Sequence, residues 1–391
     1  MKTQTLPLPR NLDRYGALAS AGAYGPLKPA IHRVPQVTRE DESTDWKPIL
    51  LPSCPETGAA PGCQARRSRL AEWREACQAD GAVAPILSIW VLGDGKPGHE
   101  NQALGLAEAL GRLRPCAIER ISLAGQHGWL ERLGAALRMA SALPKPDLLV
   151  AAGHATHPAL LWLARKHRVP SIVLMRPSLP LRWFDLCIAP SHDFRQTPAA
   201  AHVLTTMGAL NRVQAVPAAT RRGGLLLVGG PSATHSWDAN GLLDALARIC
   251  SDAGSGPWQL TDSRRTPPGF LEQVRHRLPE VVVFPHAQTP PDWLPGRLAE
   301  AADVWVSEDS VSMVYEALSS GARVGLLPVP RSKPDTRVLR GLGKLVDAGW
   351  VTPYQDWQPI RGLAAPPQPL QEAARCAAVV LTKFFSGGAP G

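Results

Sequence analysis

The chain has 391 residues, 45% hydrophobic and 19% charged, with 42 Lys and Arg against 33 Asp and Glu for a formal charge of +9, which is apolar material enough for two compact domains. Apolar runs such as 86–92 and 324–329 stop near seven residues, against the roughly 20 that a membrane-spanning helix requires, and so exclude that class. Seven cysteines with no Cys-x-x-Cys pair and no regular spacing support neither a disulfide scaffold nor a zinc module and fit a reducing cytoplasm best.

Residues 1–85 hold 11 bases against 9 acids and, over 1–65, are studded with Pro and Gly without periodicity, apart from a short helix expected at 68–78. This irregular extension carries no apolar stretch of the secretory-signal kind, and its early bases Lys2, Arg10 and Arg14 only weakly resemble an organellar transit peptide. From residue 86 a regular rhythm begins. Strands are expected at 86–92, 116–123, 147–152, 171–175, 185–189 and 202–206, alternating with helices at 100–113, 129–142 and 159–167. The apolar period lapses over 211–222, and a second series follows, with strands at 225–228, 259–262, 281–284, 304–306 and 324–327 and a last helix at 371–384. The pattern predicts an α/β protein of two Rossmann-like domains, 86–216 and 217–370, followed by a C-terminal helix and tail, 371–391. The first of these carries 14 bases against 8 acids, the second half of the chain 17 against 16. A basic middle third suits an anionic membrane surface or a phosphorylated substrate; without a Lys/Arg run interleaved with aromatics, nucleic acid is the least supported partner, and charge kept for solubility is the plain alternative.

Gly93-Asp94-Gly95-Lys96-Pro97-Gly98 follows a strand and opens a helix, with Glu119 some twenty residues on, and so matches the dinucleotide fingerprint in form. An Asp facing a pyrophosphate would repel it, which argues against nicotinamide binding and leaves a tight turn as the simpler role. The second half offers three other loops at strand ends. Gly229-Gly230-Pro231-Ser232 lets backbone approach an anion, and Ser263-Arg264-Arg265 supplies paired guanidinium groups. Glu308-Asp309-Ser310-Val311-Ser312 opens a helix whose free amides suit a phosphate, with Glu316 further in to accept from ribose hydroxyls. Capping by Ser310 and Ser312, and a solvated helix face for Glu316, are the bland alternatives. Taken together the three loops read as a nucleoside-diphosphate site.

The segments 91–102, 229–232, 263–267 and 308–313 resemble the signature blocks of the elongated-mitochondria fission family. Plant members of that family are associated with recruiting a dynamin-like fission protein, while bacterial members resemble GT-B glycosyltransferases. The resemblance implies a nucleotide-sugar donor in the second half and, in the first, an anionic glycolipid or lipooligosaccharide-type acceptor beside the loop of Gly95, Gly98, Asn101 and Gln102. It makes Asp94 and His99 the candidate bases, Asp94 preferred because it sits at the strand tip, with His99 alternatively capping the helix. Lys96 would neutralise phosphate or acceptor charge, and Asn101 and Gln102 would brace the loop. No cofactor and no metal are expected, since no Asp-x-Asp motif occurs and His154, His157 and His192 lack a carboxylate at convincing spacing. The expected place is the cytoplasm, peripheral to the inner face of a membrane. Two other readings stay open: a non-catalytic adaptor for a membrane-remodelling partner, and a sugar-nucleotide epimerase or dehydrogenase.

Overall fold

The computed structural model describes residues 49–50 and 86–386 apart from 197, 252–256, 291 and 334–336, all within a unit spanning Asp45–Gly391. The helix expected at 68–78 lies outside the described residues. Of the extension, β1 (Ile49–Leu50) is described, as a parallel edge strand on β3.

The first sheet comprises β2 (Leu87–Gly93), β3 (Cys116–Ser122), β4 (Leu148–Ala152), β5 (Ser171–Leu174), β6 (Leu186–Pro190) and β7 (Val203–Thr206). Its order is β1-β3-β2-β4-β5-β6-β7, and every neighbouring pair is parallel. Strand β2 is buried along its whole length, as a central parallel strand covered on both faces must be. Leu87, Ile89 and Val91 point into one core with α1 (Pro97–Leu113), and Trp90 and Leu92 into the other with α3 (His157–His167) and α2 (Trp129–Ser141), following the two-residue period of a strand.

The second sheet, β10-β9-β8-β11-β12-β13, is also parallel throughout. Its strands are β8 (Gly224–Leu227), β9 (Trp258–Thr261), β10 (Val282–Phe284), β11 (Asp303–Ser307), β12 (Arg323–Leu327) and β13 (Thr352–Pro353). The helices between them are α4 (Ala239–Cys250), α5 (Phe270–Arg277), α6 (Trp293–Glu300), α7 (Val311–Ser320) and α8 (Arg337–Asp347). Leu225, Leu227, Val304 and Val306 pack on the side of α7, Leu226, Val228 and Trp305 on the side of α4 and α5.

The chain crosses between the sheets twice. The stretch 207–223 is irregular, as its lost periodicity predicts, and is pinned by the buried Arg221, which donates to the carbonyls of Val216, Leu298 and Ala301 at 3.0, 3.2 and 3.1 Å. Helix α9 (Glu372–Phe385) then returns to the first sheet, where Ala373, Cys376, Ala377 and Val380 join the core built on α1. In each sheet the strand order reverses at one place, between β2 and β4 in the first and between β8 and β11 in the second. Such reversals open a crevice at the carboxyl ends of the strands, and both glycine loops begin there.

Candidate functional site

At the first crevice, β2 ends on Gly93 and the chain turns through Gly95, whose φ of +81° is open to glycine and where a Cβ would lie 2.8 Å from that of Ala124. Lys96 caps α1 and Pro97 starts it. The turn folds Asp94 back on the helix, so that His99 Nδ1 lies 2.9 and 3.1 Å from the two Asp94 oxygens. Asp94 Oδ1 also accepts from the Lys96 amide at 3.2 Å. The Asp94 side chain is 3% exposed and that of His99 20%. Gly153, just past β4, closes the pair from the other side; a Cβ there would collide with the His99 ring and sit 2.9 Å from Asp94 Oδ2. His99 Nε2 makes no hydrogen bond among the described residues.

This geometry revises two expectations. His99 does not cap α1: it lies inside the first turn, its ring committed to Asp94. Gln102 braces the loop through the Gly98 carbonyl at 3.3 Å and Met175 Sδ at 3.4 Å, but Asn101 reaches to the other half, where its Nδ2 donates to Glu316 Oε1 at 2.7 Å. Lys96 is exposed, and Gly98 has open space where a Cβ would go. Glu119, the acid of the formal dinucleotide fingerprint, is buried within β3 rather than standing at its tip.

At the second crevice the amides of Gly229 and Gly230 are already engaged, by Ser307 Oγ at 2.7 Å and Asp309 Oδ2 at 2.9 Å. Asp309, with a fully covered side chain, is held at the same oxygen by Arg265 Nη2 at 2.8 Å, and Arg265 Nη1 donates to the Gly230 carbonyl at 2.9 Å. Arg265 therefore spends its charge inside the loop. Ser263 and Thr266 close their own turn, with Ser263 N to Thr266 Oγ1 at 2.9 Å. Glu308 is paired with Arg331 at 2.6 Å, and Ser232 caps a local turn through the amides of Thr234 and His235. What remains for an anion is the amino end of α7 and the side chain of Arg264, which is exposed and has no ion-pair partner among the described residues. Ser310 makes no capping bond there, Val311 packs partly into the core, Ser312 is exposed, and the first amide engaged within the helix is that of Val314, on Ser310 O at 3.2 Å, so the preceding amides are open to a ligand.

Glu316, further along α7, sits in dense surroundings that push its carboxyl from the usual 4.5 up to about 7, against the pull of the Asn101 bond. Neighbouring contacts tie the same helix to the first half: Tyr315 Oη donates to Met207 O at 3.1 Å and Asn211 Nδ2 to Ser319 Oγ at 2.9 Å. The two crevices thus share one seam. Sequence reasoning missed Gly153, visible only as a glycine ending an apolar run, and Arg331, whose partner is 23 residues away. His157 is buried against Phe184, and that burial, with the neighbouring charge of His154, pulls its ring down to about 4. Among the described residues no group of three or more His, Cys, Asp or Glu side chains is gathered to hold a metal ion, and no helix is long and apolar enough to cross a membrane.

Two parallel sheets, each with one reversal of strand order, define a GT-B-like fold. The chain belongs to the mitochondrial fission ELM1 family, whose model matches residues 97–384. An uncharacterized protein of Rickettsia prowazekii is 30% identical over 118 residues, 28% of this chain, and the match spans 33% of that relative's length. Among solved structures, a candidate UDP-N-acetylglucosamine 2-epimerase of Listeria monocytogenes superposes with a TM-score of 0.51 at 12% identity, covering 76% of this chain and 96% of its own. MurG of Acinetobacter baumannii follows at 0.41 and 15%, covering 76% and 93%.

Proposed function

We propose that this chain is a glycosyltransferase in which the second half holds a nucleotide-sugar donor and the first half presents a hydroxyl of an anionic glycolipid or lipooligosaccharide-type acceptor. The observation that carries the reading is the Asp94–His99 pair at one crevice, set across a shared seam from the open end of α7 and Arg264 at the other.

A carboxylate can only accept, so Asp94 fixes the proton of His99 on Nδ1 and leaves the Nε2 lone pair to take the acceptor's hydroxyl proton. The freed oxygen attacks the anomeric carbon in a single displacement, and the electron pair of the bond to the donor departs with the diphosphate. Amides at the start of α7 and the Arg264 guanidinium meet that charge, with Lys96 as a further cation on the acceptor side. Glu316, once released from Asn101, accepts from ribose hydroxyls. These groups supply the charge stabilisation that a divalent cation would otherwise give, so the nucleotide sugar enters as substrate and no cofactor or metal is invoked. The basic first half would meet an anionic membrane peripherally, from the cytoplasmic side.

Calorimetric titration with a panel of nucleoside diphosphates tests the donor half. At least one should bind the wild type, and Arg264→Gln should weaken it roughly ten- to a hundredfold, the scale of a lost charge-assisted contact. A wild type that binds none of them contradicts the reading.

A further inference from the structure

A second cationic cluster lies away from both glycine loops. After β5 the chain passes through Met175 at a φ of +65°, a conformation rare for a residue with a side chain. It is held there by the Met175 amide on Ile188 O at 2.8 Å and by Gln102 on its sulfur. The turn redirects Arg176, whose Nη1 donates to the Asp193 carbonyl at 3.1 Å and whose guanidinium lies 5.7 Å from the centre of the Phe194 ring. Arg195 follows on the same wall, beyond the end of β6. The opposite wall is α8 of the second half, which contributes Arg340 and Lys344 and approaches so closely that a Cβ at Gly341 would sit 3.1 Å from His192 Nδ1.

Between the walls is a cavity of about 680 Å³ whose described lining includes Arg176, Arg195, Arg340 and Lys344 together with the carboxylate of Asp193. Neither Arg195 nor Lys344 has an ion-pair partner among the described residues. Unpaired cations lining one pocket are stabilised when an anion joins them, and guanidinium groups match phosphate oxygens two at a time. The cavity shares Arg176, Phe194 and Arg195 with a larger one of about 940 Å³, whose lining includes Leu179, Pro180 and Leu181. A charged mouth beside a larger cleft of mixed polar and apolar lining suits a ligand with a compact, multiply charged head.

We propose that this pocket binds a phosphomonoester, and that the group belongs to the acceptor, which makes the acceptor a lipid phosphate or a phosphorylated soluble sugar. The second clause rests on the glycosyltransferase reading; the anion site itself does not.

The test compares the wild-type chain with Arg195→Gln/Lys344→Gln and with a control, Arg165→Gln/Arg168→Gln, that removes the same charge outside the pocket. Glycerol 3-phosphate is titrated by calorimetry, vesicles of phosphatidylcholine with and without phosphatidate are followed by co-sedimentation, and UDP is titrated in parallel. The pocket variant should lose phosphomonoester binding by at least about tenfold, the control by less than roughly twofold, with UDP affinity unchanged in both. Binding of glycerol 3-phosphate alone supports a soluble phosphorylated acceptor, and binding of phosphatidate vesicles a lipid-borne one. Failure of both probes to bind the wild type, or equal losses in the two variants, overturns the site. A parallel loss of UDP affinity in the pocket variant would give the cluster to the donor's diphosphate and overturn it too. Pocket-dependent phosphomonoester binding in a chain that ignores all nucleoside diphosphates upholds the site while the donor reading falls.

Discussion

Asp94 and His99 are five residues apart on either side of a tight turn, and the division of work between them follows from exposure. Asp94 is covered and has both oxygens engaged, so in the proposed transfer a substrate hydroxyl would meet His99 first. Asp94→Asn preserves shape but offers Nδ1 a donor or an acceptor, so the tautomer is no longer fixed, and turnover should fall by roughly 10² to 10⁴ with donor affinity nearly intact. His99→Ala should cost as much, and the double variant no more than His99→Ala alone, because two residues acting as one unit are not additive. Independent, multiplying losses in kcat would assign Asp94 its own role. Glu316 gives a second test at this scale. Its folded-state carboxyl titrates near 7, above the usual 4.5, so its neutral form contributes stability that is full below about 4.5 and is lost as pH rises through about 7. Urea denaturation at pH 5 and pH 8 should show that drop in the wild type and a smaller one in Glu316→Gln; identical drops would mean that Glu316 is charged in the fold.

At the scale of elements, the two glycine loops look alike as sequence and differ in what surrounds them. A Cβ on Gly230 would strike the Arg265 carbonyl, whereas one on Gly98 meets nothing within 4 Å. Gly230→Ala should therefore displace the loop that holds Arg265 and Asp309, lowering the melting temperature and weakening binding of whichever nucleoside diphosphate the panel identifies by about tenfold or more, while Gly98→Ala should leave both close to wild type. Equal sensitivity in thermal shift and calorimetry would contradict this reading of the loops. The strands were legible because parallel strands covered on both faces are apolar along nearly all their length, as 86–92, broken only by Ser88, and 324–327 are. Helix α6 was not, since Pro295 and Gly296 interrupt its eight residues, and α5 buries only Phe270 and Val274. The sequence marked Arg264 and Arg265 as a pair but held nothing to say which is spent on Asp309, because that depends on a loop 44 residues away.

Over the whole molecule the least legible features are the longest in range. Asn101 meets Glu316 across 215 residues, and Arg212 joins Glu108 at 2.8 Å to Asp292 at 2.9 Å, with no local pattern announcing either contact. The sequence sets the last helix apart from both domains, yet it completes the core of the first half. These ties bring the His99 loop and α7 to one seam, the arrangement that a transfer between two bound substrates requires.

The most direct test is to follow labelled sugar from a panel of nucleotide sugars into lipooligosaccharide, with purified wild-type chain, in the presence and absence of EDTA. Transfer is expected from at least one donor, surviving chelation and falling by roughly 10² or more in His99→Ala. Transfer abolished by EDTA, transfer undiminished in His99→Ala, or no transfer from any donor would contradict the glycosyltransferase reading.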